Sequence, residues 1–215
     1  MRNCWKRKEN IISCIRGRVF RRRGEDRKEI MDGLILAGGK SLRMEGKHKG
    51  FLVYNKETFM ERLIREMKRE AEHLWISYGT EVHASYEGCP VIMDEYPGCG
   101  PIGGIHAGLR KCQADAIMVA ACDMPFLKAE LYRHLKAKMG SADGVVPVVQ
   151  ERIHPLAAIY SKKILPILEE QILKGNYRLT DALKRLNIVY VDVSGMNEYE
   201  KMLRNINTVE EYGNL

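Results

Sequence analysis

The chain has 215 residues, 45% of them apolar and 29% charged, the balance expected of a globular fold of one ordinary α/β domain rather than a disordered chain. No apolar run approaches the length of a membrane span. The net charge of +7 invites a nucleic-acid partner, but eleven Lys/Arg against four Asp/Glu lie in residues 1–30, leaving 24 basic and 24 acidic residues beyond them. The surplus is thus confined to one end, which argues against nucleic acid as the domain's partner.

Residues 1–30 lack the continuous apolar core and cleavage site of a signal peptide. Arg21, Arg22 and Arg23 would suit a nucleic-acid arm or a targeting segment. The expectation is a basic, disordered or loosely helical extension, with a domain over residues 31–215 and Met31 standing two residues before its first strand. The six cysteines form no C-x-x-C pair and, without a secretory signal, do not read as a disulfide framework or a zinc site.

Residues 33–52 organise the domain. Leu34, Ile35, Leu36 and Ala37 read as a strand buried on both faces, broken at once by Gly38 and Gly39 and then by Lys40, Ser41, Arg43, Lys47 and Lys49. Glycine lets main-chain N–H groups turn toward an anion, and the cations neutralise the remaining charge. Gly39, Lys40 and Ser41 spell part of a phosphate-binding P-loop, but that motif needs glycine where Leu34 stands; the G-x-G-x-x-G dinucleotide pattern is also absent. A tight strand-to-helix turn with exposed lysines is the plainer alternative.

Downstream, Phe51, Leu52, Val53 and Tyr54 are apolar enough to tuck beneath the loop. Thr58 with Glu61 makes a capping box for a helix whose stripe is Phe59, Leu63, Ile64 and Met67. Residues 73–78 read as a second strand and Val91, Ile92 and Met93 as a third, running into Asp94. Strand–helix–strand order points to a doubly wound, mostly parallel sheet, with ligands beyond the carboxyl ends of its strands. Glycine and proline are dense from Pro97 to Gly104 before a helix, which suits backbone held close to a flat ligand or a loop needing positive φ. Residues 116–123 are the clearest buried strand and end in Asp123, a place for Mg²⁺ or for a helix cap followed by Pro125. Leu127, Leu131, Leu135 and Met139 are core-facing at helical spacing, and residues 144–149 and 188–193 read as strands. Asn176, Tyr177 and Arg178 precede a helix ending near Leu186, and Thr208 with Glu211 makes a second capping box.

The string Leu36-Ala37-Gly38-Gly39-Lys40-Ser41-Leu42-Arg43-Met44, with Lys49 after it, resembles the MobA-like nucleotidyltransferases, the guanylyltransferases that attach GMP to molybdopterin. Asp94 with Gly100-Pro101-Ile102-Gly103-Gly104, and Cys122-Asp123-Met124-Pro125, match two further family motifs, so the likeness spans roughly residues 33–212. It implies a three-layer α/β/α, Rossmann-like nucleotidyltransferase fold. It also implies GTP and molybdopterin as substrates, Mg²⁺ as cofactor, molybdoenzyme chaperones or other cofactor-pathway proteins as partners, and the cytoplasm as location. Carried over residue by residue, it makes Arg43, Lys49 and Asp123 catalytic, with Asp123 on the metal. Leu36, Ala37, Gly38, Gly39, Lys49, Ser77, Asp94, Gly100, Pro101 and Asp123 fall on the nucleotide. His154, Arg178, Asn205 and Asn207 fall on the pterin side; for Arg178 a solvated helix start is equally open. A CTP-using or sugar- or polyol-phosphate nucleotidyltransferase of the same fold, or a non-catalytic binding protein working through the basic leader, remain alternatives. The chain departs from the family where Glu45 and His48 replace a glycine and an acid, and where Ser77 replaces an asparagine.

Overall fold

The computed structural model describes residues 31–38, 43–44, 47–82 and 84–215, with backbone alone at 43, 44, 47 and 48. The expected extension over residues 1–30, and Gly39, Lys40, Ser41, Glu45 and the side chains of Arg43, Lys47 and His48, lie outside the described residues.

The central sheet contains β1 (Met31–Leu36), β2 (Ala71–Ser77), β3 (Val91–Ile92), β4 (Ala116–Ala121), β5 (Gly144–Val149), β6 (Arg152–Ile153), β7 (Ala157–Ser161) and β8 (Ile188–Asp192). β4, β1, β2 and β3 pair in parallel in that order. β7 joins β4 antiparallel, β5 pairs antiparallel with β6 and β7, and β8 returns parallel to β5. The helices are α1 (Phe59–Met67), α2 (Pro101–Lys111), α3 (Ala129–Met139), α4 (Leu165–Leu173), α5 (Leu179–Leu183), α6 (Asn197–Met202) and α7 (Val209–Gly213). The doubly wound, mostly parallel sheet expected from strand–helix alternation is present, and so is the three-layer α/β/α arrangement that the resemblance implies.

Period-two alternation divides the core between the layers. Ile35, Met118 and Ala120 face a cluster with Leu63 and Met67 of α1 and Leu131, Tyr132 and Leu135 of α3. Leu34, Leu36, Ile117 and Val119 face the opposite cluster, with Ile102, Ile105 and Leu109 of α2 and Leu168 and Ile172 of α4. On that second side α2 lies very close to β1. A Cβ at Gly104 would come 2.6 Å from Leu36 Cδ2, and one at Gly108 2.6 Å from Leu34 Cδ2.

Both predicted capping boxes form, at Thr58–Glu61 and Thr208–Glu211. Several boundaries differ from expectation. β1 starts at Met31 and β2 at Ala71, because pairing with neighbours extends both past their apolar cores. Only Leu52 of the segment expected to tuck under the loop is buried. Phe51 and Val53 are 40% and 50% exposed; Val53–Tyr54 forms a two-stranded ribbon with Glu57–Thr58 in which alternation sends Tyr54 inward, onto Leu52 and Phe59, and leaves Val53 outward. The helix after Asp123 begins at Ala129 with Lys128 at its N-cap, so Asp123 caps nothing. α5 ends at Leu183, three residues short of Leu186.

Sequence reading passed over Asp32, the fully buried second residue of β1. Its carboxylate accepts from the amides of Gln113 (2.7 Å), Ala114 (3.3 Å) and His73 (3.3 Å), and meets His73 Nδ1 at 2.9 Å. Burial alone would raise its pKa, but the bonds from Gln113, His73 and Ala114 outweigh it and hold the carboxyl below 3.8. Asp32 ties the starts of β1 and β2 and the turn before β4 at the end of the sheet opposite the loop. Asp32→Ala, which strands those amides, should lower unfolding free energy by about 1–3 kcal/mol in urea titrations. Because the folded pKa is depressed, the carboxylate's contribution is complete above 3.8 and fades as pH falls through the lower folded value, so the gap between wild type and variant should close in acid.

Candidate active site

β1 and β4 lie in register, Leu36 opposite Ala121, and the Cys122 N–H donates to the Leu36 carbonyl at 3.0 Å. The glycine turn and Asp123 thus leave the sheet side by side. At Gly38 the chain passes against β2's exit: a Cβ there would lie 2.7 Å from the Tyr78 carbonyl carbon and 2.8 Å from the Gly79 nitrogen. Leu36 is paired on both sides, and the Ala37 N–H donates to the Ser77 carbonyl at 2.7 Å. The Ala37 amide, expected on the nucleotide, is thus engaged by the sheet.

Lys49 sits in a short 3-10 turn (Lys49–Phe51) and is 3% exposed. Its Nζ donates to Asn207 Oδ1 at 2.8 Å and stands 3.8 Å from Asp123 Oδ2. The gross attraction at that separation is on the order of 4 kcal/mol at an effective dielectric of about 20, before desolvation is subtracted. Asp123 Oδ1 accepts from Asn205 Nδ2 at 3.3 Å. Burial pushes the Asp123 carboxyl above its ordinary value, against the opposing pull of Lys49 and Asn205. The structure therefore brings Lys49, Asp123, Asn205 and Asn207 together from segments far apart in sequence.

The second glycine stretch faces β2. Ser77 Oγ donates to Asp94 Oδ1 at 2.8 Å, and the Asp94 amide donates to the Gly79 carbonyl at 3.1 Å. Burial raises the Asp94 pKa while the Ser77 bond and His106 oppose the rise. Asp94 Oδ2 faces the backbone of Gly103 and Gly79, with ideal Cβ positions 3.3 and 3.9 Å away. Gly100, at φ 70°, is the N-cap of α2, Pro101 occupies its first turn, and the Gly100 carbonyl accepts from the Gly103 amide at 3.0 Å. Ser77, shorter than the family's asparagine, thus orients a carboxylate. His106 is fully buried behind this notch, edge-on to Tyr96 at 5.1 Å, and burial lowers its pKa toward a neutral ring.

On the other side of Asp123 lies a cavity of about 410 Å³ bordered by Asn205, Asn207, His154, Arg152 and Arg204, with Glu200 and Glu211 also on its lining and Val149 and Leu203 as apolar wall. His154 is pinned through its amide to the Pro147 carbonyl at 2.9 Å; burial and Arg152 lower its pKa. Arg152 follows a turn in which Gln150 and Glu151 both take positive φ, 47° and 67°, without a glycine. Among the described residues neither the Arg152 nor the Arg204 guanidinium makes an ion pair, although Arg204 helps to lower the pKa of Glu211, whereas Arg62, Arg65, Arg69, Arg110, Arg133 and Arg185 all pair with glutamates. Sequence reading gave neither a role of its own, since an isolated arginine carries no signal until its partners are known. Arg178 does not border the cavity. It is exposed at the N-cap of α5, its carbonyl accepting from Gln171 Nε2 at 2.8 Å, next to Tyr177, which reaches Cys99 of the second glycine stretch.

Among the described residues no helix is long and apolar enough to cross a membrane. The family model for the MobA-like NTP transferase domain matches residues 33–189. A probable molybdenum cofactor guanylyltransferase of Clostridium perfringens is 36% identical over 186 residues, 84% of this chain and 93% of that protein. A second, from Methanosarcina mazei, is 31% identical over 208 residues, 89% and 92% of the two chains. The crystal structure of molybdopterin-guanine dinucleotide biosynthesis protein A from Archaeoglobus fulgidus superimposes with a TM-score of 0.72 at 29% identity, covering 86% of this chain and 96% of that one. Gly38→Ala, which must push the turn off Tyr78, should destabilise the protein by about 1–3 kcal/mol in thermal or urea unfolding.

Proposed function

The chain belongs to the MobA-like NTP transferase domain family, and on that premise we propose that it transfers GMP from GTP to molybdopterin in the cytoplasm, releasing pyrophosphate and forming the guanine dinucleotide form of the cofactor. The observation that carries this reading is the meeting of Lys49 and Asp123, 3.8 Å apart, where two parallel strands end together. A glycine turn lies on one side and a cavity with two unpaired guanidiniums on the other. The names of the relatives above support guanylyl transfer in particular.

In this reading the terminal phosphate of the pterin attacks the α-phosphorus of GTP in line with the departing pyrophosphate. A phosphate nucleophile is already ionised at neutral pH, so the protein's work is positioning and charge stabilisation. Gly38 and Gly39 approach the nucleotide through backbone, and Gly100 and Pro101 border it at the start of α2. Arg43 and Lys49 stabilise charge on the triphosphate. Asp94, with Oδ1 taken by Ser77, uses Oδ2 to accept from the guanine N1–H and amino groups; cytosine offers no such donor pair. Arg152 and Arg204 receive the acceptor's phosphate in the cavity beside His154, and Arg178 takes the more distant substrate contact.

The donor set fits a divalent ion of the magnesium type. Asp123 offers a hard oxygen beside a buried cation, and among the described residues no three His, Cys, Asp or Glu side chains gather into an all-protein cage. Magnesium is commonly held by one or two carboxylates plus phosphates and water. When bound on Asp123, it supplies charge neutralisation at the phosphates and polarises the reacting phosphoryl group.

Pyrophosphate release measured with molybdopterin present should require GTP, and CTP in its place should give none; equal or better turnover with CTP would overturn the guanylyl assignment. Lys49→Ala should lower kcat by about 10²–10³-fold, the size of a lost oxyanion donor. Asp94→Asn should raise KM for GTP by about 10–100-fold, the worth of a hydrogen bond to a charged group.

A further inference from the structure

We infer that Asn207 is a positioning residue that holds the Lys49 ammonium away from the Asp123 carboxylate, leaving the carboxylate open to a divalent ion; this rests on the phosphoryl-transfer reading above. The family resemblance would put Asn207 on the pterin, yet its Oδ1 is already engaged, 2.8 Å from Lys49 Nζ. Lys49 stands 3.8 Å from Asp123 Oδ2, inside Coulomb attraction but beyond hydrogen-bond reach. Both side chains are largely withdrawn from water, 4% and 19% exposed, so a competing acceptor on the ammonium opposes closure of that gap. A closed pair would neutralise the oxygen that an ion needs.

The segment carrying Asn207 is built to resist the pull. The Ile206 amide donates to the Asp123 main-chain carbonyl at 2.8 Å, and the Ile206 side chain is fully buried with Leu52 and Phe59. The amides of Asn207 and Thr208 donate to Glu211 Oε2 at 2.5 and 3.0 Å, inside the capping box of α7. Apolar Ile206 pointing inward places Asn205 and Asn207 together on the opposite side, where Asn205 Nδ2 reaches Asp123 Oδ1 at 3.3 Å. One asparagine thus steadies the carboxylate while the other restrains the lysine.

The test is Mn²⁺·GTP binding, followed by Mn²⁺ electron paramagnetic resonance on the full chain, with steady-state kinetics alongside. Asn207→Ala should weaken Mn²⁺·GTP about tenfold and leave KM for the acceptor unchanged. In a Lys49→Met background, where no ammonium needs restraint, Asn207→Ala should add no further loss. A loss that persists in that background, or unchanged Mn²⁺·GTP binding with a raised acceptor KM, would overturn the inference. Asn207→Gln gives an answer independent of the alanine variant's folding. It keeps a neutral amide acceptor for Lys49, so Mn²⁺·GTP binding should stay within about threefold of wild type, and a loss as large as the alanine variant's would overturn the inference. Wild-type protein that binds no Mn²⁺·GTP would remove the phosphoryl-transfer reading itself; wild-type binding with unaffected variants would remove only the role of Asn207.

Discussion

β1 and β4 run side by side, Leu36 opposite Ala121, and the Cys122 amide extends the ladder one bond past the last paired residue. The proposed chemistry depends on that adjacency. A parallel pair sends both chains out of the sheet in the same direction, so a glycine turn and a carboxylate that are 85 residues apart in sequence emerge as neighbours. The C-terminal segment then closes over them through one main-chain bond from Ile206 to the Asp123 carbonyl. An ammonium and a carboxylate can remain partly desolvated there because each has a second polar partner, Asn207 for Lys49 and Asn205 for Asp123.

Close approach of backbone is the second theme, and it explains why glycines collect where they do. Gly38 lies against the Tyr78–Gly79 peptide, and Gly104 and Gly108 let α2 settle onto Leu36 and Leu34. The same approach brings Gly103 to the Asp94 carboxylate, so the packing of a helix on a sheet also shapes the notch around the proposed base contact. By contrast, the Asp32 cluster lies at the far end of β1, where it ties loops together without meeting any of the proposed substrate contacts.

Much of this was legible in the residues alone. Continuous apolar runs marked β1 and β4, because strands buried on both faces cannot alternate with polar residues. The capping boxes at Thr58 and Thr208 marked helix starts to the residue, because that signal is local and reciprocal. Signals that depend on a distant partner were not readable. Asp32 looked like an ordinary polar residue ahead of a strand until three amides converged on it. Ser77 looked like a weak substitute until its hydroxyl met Asp94. Val53 read as core by composition alone and proved to lie on a two-stranded ribbon. Arg152 and Arg204 became distinctive only when the fold placed both beside one cavity without a partner carboxylate in an ion pair.

Cys122, directly before Asp123, is 4% exposed, and burial with the adjacent Asp123 charge pushes its thiol up to about 12. At neutral pH almost none of it is thiolate, the form that reacts with alkylating agents and peroxide. The sulfur next to the Asp123 carboxylate is therefore chemically quiet while β4 stays seated against β1. Slow capture of that thiol by a maleimide would act as a stopwatch for the rare moments when the strand end lifts, reporting local opening in a region whose turnover gives no such signal.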